Sequence, residues 1–463
     1  MYRTLSTLAL STAIGSAMFA GLAQAQDITL GEVFPATLAG HAYIPALTLI
    51  TPPADAPADA WISGKFTAGA ARVDAPMSLE GDTGGQHGKR GTGIFRPFIG
   101  QPLQGFSGFA MERATDGSII ALTDNGFGSK ANSPDTLLFF HLIMPNFENG
   151  SVDVRETVFL HDPDGIVPFR ITYQGTDARY LTGADFDLES IQIIGNDIWI
   201  GEEFGPYLIR ANLDGRITGL YPTMLNSAEL RSPDHPALSV PAQAGADFLL
   251  PRSSGYEGMA LQPGTGLLWG MLEKPLLNAD GTNGPRVLEV LAFDPAQESW
   301  TGDRFLFPLG AGATAIGDFN FIDETRALVI ERDNGEGDPS LACADPANPK
   351  PDCFPNPALL KRVVLIDTAD IAEDGTVRRI GHIDLMNIAD PNGLARLETA
   401  ANRDLSGLFT MPFFTIEDVM LYDESHILVA TDNNLPFSSG RQLDAAMDNE
   451  FVLLSVPELL AAR

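Results

Sequence analysis

Acids and amides recur at matching places along this sequence. Five strings carry them: Asp124-Asn125, Glu202-Glu203, Glu273-Lys274, Glu331-Arg332-Asp333 and Asp432-Asn433. Upstream of each stands another acid or polar group: Ser107, Glu189, Glu257, Asp318 and the Glu417-Asp418 pair. Carboxylates crowded together raise one another's pKa or demand a cation. Oxygen donors alone suit hard cations, and a ring able to give about six to eight oxygens favours Ca²⁺ over Mg²⁺. Asp124, Asn125, Glu202, Glu203 and Glu273 are therefore candidate metal ligands, as are Asp318, Glu417, Asp418, Asp432 and Asn433. Glu189, Glu257, Glu331 and Asp333 are the candidates to activate water beside the metal. Lys274 and Arg332 can neutralise acids or orient an anionic substrate. Other chemistries find no motif. Ser107 lies in Gly-Phe-Ser-Gly-Phe, which is not a G-x-S-x-G elbow, and there is no H-E-x-x-H and no phosphate-binding glycine loop.

The elements around these strings repeat. The first hairpin runs over residues 105–111, turns at Asp116-Gly117 and returns over 119–123. The others pair 187–191 with 198–203, 256–261 with 267–272, 317–321 with 327–330, and 416–420 with 427–430. Each turn is rich in Gly, Asp or Asn, the residues that hairpin turns require. Further strand-like sequence follows every hairpin, and two plus two strands is the content of a propeller blade. The expectation is an all-β chain forming a single β-propeller, with five repeats visible and five to seven blades; a β-sandwich of repeated hairpins is the alternative. The last repeat has three strands, so residues 28–34 are expected to supply its fourth and close the ring. If the hairpins are the inner strands, the acids ring one mouth of the central channel.

The N-terminus reads as an export signal. Arg3 precedes an apolar, small-residue stretch over 8–22, and Ala23-Gln24-Ala25 offers a cleavage site. Residues 1–25 are expected to be the signal peptide and 26–463 the propeller domain, with its repeat core over about 105–454. No later run is long and apolar enough to span a bilayer, so a periplasmic or secreted monomer without a membrane anchor is expected. Cys343 and Cys353, the only cysteines, flank a loop and should form a disulfide in that compartment. The net charge of −31 repels nucleic acid and anionic membranes and points to a small-molecule partner.

In these same residues the chain resembles the family called esterase-like activity of phytase. The matching stretches are Phe106-Ser107-Gly108-Phe109, Thr123-Asp124-Asn125-Gly126, Asp187-Leu188-Glu189-Ser190-Ile191, Glu202-Glu203-Phe204-Gly205-Pro206-Tyr207, Tyr256-Glu257-Gly258-Met259-Ala260, Glu331-Arg332-Asp333-Asn334 and Glu417-Asp418. The resemblance implies an exported, propeller-like protein with phosphoesterase or esterase activity. The acidic face also looks like that of calcium-dependent lactonase propellers. The expected function is a calcium-dependent hydrolase of phosphate or carboxylic esters. The alternatives are a lactonase-type propeller hydrolase and a non-catalytic, calcium-stabilised ligand-binding propeller.

Overall fold

The computed structural model describes residues 30–69, 71–236, 248–397 and 407–463. The expected signal peptide lies outside these residues. Twenty strands build five antiparallel blades. An N-terminal strand, β1 (Thr37–Ile44), is held back for the last blade. Blade one holds β2 (Phe106–Phe109), β3 (Ile119–Thr123), β4 (Phe139–Asn146) and β5 (Ser151–Phe159). Blade two holds β6 (Leu188–Ile194), β7 (Asp197–Glu202), β8 (Tyr207–Asn212) and β9 (Ile217–Pro222). Blade three holds β10 (Tyr256–Leu261), β11 (Leu268–Leu272), β12 (Val287–Asp294) and β13 (Ser299–Pro308). Blade four holds β14 (Ala315–Phe321), β15 (Arg326–Arg332), β16 (Lys361–Ile371) and β17 (Val377–Asp384). Blade five holds β18 (Asp418–Asp423), β19 (His426–Ala430) and β20 (Asn449–Ser455), with β1 as its outer strand. A short helix, α1 (Pro457–Ala461), follows.

The ring closes through the N-terminus, by a different segment from the one expected. Residues 37–44 pair antiparallel with β20, from Thr37↔Ser455 to Ile44↔Asn449. Glu32–Val33, inside the expected 28–34, instead runs parallel to β17 and adds an edge strand to blade four. The reason is side-chain burial. Leu38, Ala42 and Ile44 are buried, whereas Glu32 and Val33 are both exposed. A strand without apolar residues to bury can cap a blade but cannot join two.

Period-two alternation explains the rest. In β15, Leu328 and Ile330 pack against Val419 and Val429 of blade five, while Ala327 and Val329 pack against Phe305 and Phe307 of blade three. A strand buried on both faces reads as a continuous apolar run. One apolar cluster of this kind fills each of the five blade interfaces. Each large side chain in them contributes about 1.5–3 kcal/mol. At the axis the inner strands β2, β6, β10, β14 and β18 approach closely. A Cβ on Gly258 would lie 2.7 Å from Cβ of Phe319, so this crossing of blades three and four requires glycine.

The seam of blade five carries a buried ion-pair group. Arg441 donates to both oxygens of Glu450, at 2.7 and 2.8 Å. His41 on β1 accepts the Arg396 amide at Nδ1, and its Nε2 lies 2.9 Å from Glu450. Burial alone would raise the Glu450 carboxyl, but Arg441 and His41 outweigh it and hold it at about 2. A carboxyl lowered on folding stabilises the fold above its unfolded value and loses that contribution as pH falls toward the folded one. Stability is therefore expected to drop between pH ~4.3 and ~2. Glu450→Gln should flatten this acid limb in denaturant unfolding and cost about 3–5 kcal/mol at pH 7. An unchanged acid limb in the variant would show that Glu450 does not control it.

Candidate functional site

The mouth of the channel is built by register. Leu188 pairs with Glu202 and Ser190 with Gly201, leaving Glu189 as an inserted residue. Tyr256 pairs with Leu272 and Gly258 with Met271, which inserts Glu257 in the same way. In blade four the inserted residue is Gly317. A bulge re-aims the side chain it inserts. Glu189 and Glu257 thus turn into the mouth, and blade four contributes no acid there. Opposite each bulge, the residue after the paired partner also reaches the mouth. These are Glu203, Glu273 and, in blade four, Arg332. A guanidinium stands where two other blades place a carboxylate.

The resulting cleft encloses about 200 Å³. Its acids are Asp124, Asp187, Glu189, Glu203, Glu257, Glu273, Glu417 and Asp432; its bases are Lys274 and Arg332. Arg332 Nη2 lies 3.4, 3.1 and 3.2 Å from oxygens of Glu257, Glu273 and Glu417. The Phe414 ring covers the guanidinium at 5.6 Å. Lys274 pairs with Glu273 and is the more exposed of the two bases. Ser107 donates to Glu189 and, at 3.3 Å, to Glu417. Two carboxylate triads overlap: Asp187, Glu189 and Glu203, and Glu203, Glu257 and Glu273. Within each, one oxygen per residue lies within 4.8 Å of the others. Glu203 belongs to both, and its Oε1 is buried without a hydrogen-bond partner.

Burial, reinforced by neighbouring acids, holds Glu189, Glu203, Glu417 and Asp124 well above the usual carboxylate range. Burial and then Glu273 push Glu257 to about 8, and burial brings Asp187 to about 7 and Asp432 to about 6. All-oxygen donors, raised carboxyls and an orphaned buried oxygen together fit a hard divalent cation.

Several expected site residues lie elsewhere. Glu331 faces away from Arg332 and is held by Arg379 at 2.7 and 2.8 Å and by Arg362 at 3.0 Å. Those guanidiniums outweigh burial and lower its carboxyl. Asp333 accepts the Leu359 and Leu360 amides and pairs with Lys361 at 2.9 Å, so it pins a turn. Glu202 accepts the amides of Phe204, Gly205 and Tyr207. Asp318 accepts Val419 N, and Asp418 accepts Gly108 N, tying inner strands together below the mouth. Asn433 accepts Gly105 N. Asn125 lines the cleft but turns its Oδ1 to the Phe127 and Gly128 amides. Asp187, absent from the sequence candidates, belongs to the site. Its spacing of two from Glu189 was the available signal. Thr415 and Phe414 come from a loop that carried none.

A family model described as Phytase-like, esterase-like activity of phytase, matches residues 101–435. No curated protein matches the chain. Among solved structures it is similar to a protein of unknown function from Dyadobacter fermentans, at 9% identity over 91% of this chain and 99% of that one, with a TM-score of 0.36. It is similar also to native arabinanase from Bacillus subtilis, at 10% identity over 76% and 94%, with a TM-score of 0.33. A luciferin-regenerating enzyme gives 9% identity over 78% and 94%, with a TM-score of 0.33.

The raised carboxyls have a signed consequence. A carboxyl whose folded value exceeds its unfolded one binds extra protons on folding, so stability falls as pH rises between the two. For Asp432, Asp187 and Glu257 the window runs from about 4 to about 8. Chelator-treated protein is expected to melt several degrees higher at pH 5 than at pH 8, and calcium to restore the loss at pH 8. Equal melting temperatures in chelator at both pH values would mean that the acids are already neutralised.

Proposed function

The chain belongs to the phytase-like family, and from that premise we propose that it is an exported, divalent-cation-dependent hydrolase of phosphate or carboxylic esters, with calcium as the cation. The observation that carries this reading is the pair of carboxylate triads sharing Glu203 in a solvent-reached cleft. Asp187, Glu189 and Glu203 would hold the cation: among the described residues none of the three forms an ion pair, and Lys274 and Lys130 act on Glu203 and Asp187 only at longer range. When bound, it would supply charge to polarise the ester oxygen and to acidify an attacking water.

The chain's own groups would do the rest. Glu257 accepts the water's proton. The water oxygen bonds to the phosphorus or acyl carbon, that atom's bond to the ester oxygen breaks, and the alcohol leaves with the proton that Glu257 took from the water, which restores Glu257. Lys274 faces the anionic end of the substrate, while Arg332, engaged by three glutamates, keeps those side chains in place. The cleft's bases are too few to grip a ring bearing many phosphates, so a substrate with a single ester group fits better. For export, the disulfide between Cys343 and Cys353 supports an oxidising compartment. No helix among the described residues is long and apolar enough to cross a membrane.

The test is p-nitrophenol release from a phosphate ester and an acetate ester, in calcium and in chelator. Calcium-dependent turnover of the phosphate ester is expected. Glu257→Gln should lower kcat about 10²–10⁴-fold with the fold intact, and Lys274→Met should act mainly on KM. Turnover of acetate alone would move the assignment to an esterase or lactonase. Silence on both esters, with a melting temperature still raised by calcium, would reassign the protein as a ligand-binding propeller.

A further inference from the structure

The two triads differ in what already neutralises them. Among the described residues neither Asp187 nor Glu189 forms an ion pair; Lys130 acts on Asp187 only at longer range, and Ser107 is the hydroxyl donor to Glu189. Glu257 and Glu273 already share Arg332, and Glu273 also holds Lys274. Glu203 stands between them, 3% exposed, with Oε1 unpartnered. A cation entering the first triad has no ion-paired base to displace. A cation entering the second must displace, or coexist with, two protein cations at short range. Within 4.8 Å, one shared carboxylate can serve both positions, as in bridged two-metal sites.

We propose that the cleft takes two divalent cations bridged by Glu203: a tight one on Asp187 and Glu189, and a weak one on Glu257 and Glu273 held off by Arg332 and Lys274. The weak position is inhibitory, because filling it occupies the carboxylate assigned the water's proton. This last point rests on the function proposed above; the two binding positions do not.

The experiment is calorimetric titration of the full mature chain with calcium after chelator treatment, beside ester turnover over the same calcium range. Two binding events are expected, the second at least about tenfold weaker, a gap of 1.4 kcal/mol. Glu189→Gln should abolish the tight event and leave the weak one. Lys274→Met, which removes the more exposed base, should tighten the weak event about three- to tenfold. Glu203→Gln should weaken both, with its melting temperature in chelator confirming the fold. Turnover should peak between the two events. A single event at saturating calcium, or a weak event indifferent to Lys274→Met, would overturn the proposal even if calcium-dependent turnover persisted. Two events of the expected order with no turnover of any ester would sustain the two cation positions and overturn both the hydrolase reading and the inhibitory role.

Discussion

The molecule is organised around a surplus of negative charge on its axis. Eight carboxylates converge on a cleft that holds two basic side chains. Arg332 limits the damage by meeting glutamates from blades three and five while anchored in blade four. Its own position is secured from behind. Lys361 donates to the Asp333 and Phe414 carbonyls at 2.8 and 3.1 Å, fixing both the turn after Arg332 and the ring that covers it. A buried ion pair earns little net stability, but removing one partner strands the others. Arg332 therefore acts on specificity of arrangement more than on stability. It sets which acids are already satisfied and leaves the Asp187, Glu189 and Glu203 side unsatisfied.

The rest of the fold has to absorb that cost. Five apolar clusters, one between each pair of blades, do so by burying both faces of the inner and middle strands. Because each blade leans on two neighbours, a blade that came away would expose two clusters at once. This is why the seam of blade five is reinforced by both a strand pairing and the Arg441–Glu450–His41 group. It also bears on the acids at the mouth. A ring that could splay would relieve their repulsion by opening. One sealed on every side keeps them close and leaves protonation or a cation as the remaining relief.

Much of this was legible in the sequence, and the failures have one cause. Repeated hairpins with polar ends gave the blade plan, and the five visible repeats are the blades that the structure describes. The acids at the mouth were legible as a population but not by face. In a strand the side-chain period is two, so a shift of one residue reverses direction. Glu202 and Glu203 are neighbours in sequence, yet one faces a loop and the other the cleft. Glu331 and Arg332 divide in the same way. The bulges at Glu189, Glu257 and Gly317 set which neighbour wins, and a bulge is a property of pairing between strands rather than of either string alone. The closing strand was missed for a related reason: both 28–34 and 37–44 are short and apolar in part, and burial against β20 separates them.

The divergence at blade four is the most informative detail. The second strands of blades two and three are each followed by a glutamate at the mouth, Glu203 and Glu273, whereas blade four places Arg332 there, and the bulge beside it is a glycine where those two hold glutamates. Had blade four kept the acidic pattern, the cleft would carry two more carboxylates and lose its buried guanidinium. Such a ring would be nearly symmetric and would present no preferred side to a cation. The exchange of one acid for glycine and another for arginine breaks that symmetry across the channel. It leaves charge uncompensated against blade two and compensated between blades three and five. Any ligand that enters must then sit off-axis, with a cation drawn toward Asp187 and Glu189 and an anionic group toward Lys274. Asymmetry of this kind is what a binding cleft needs in order to orient a small molecule, and the ring architecture would not supply it unaided.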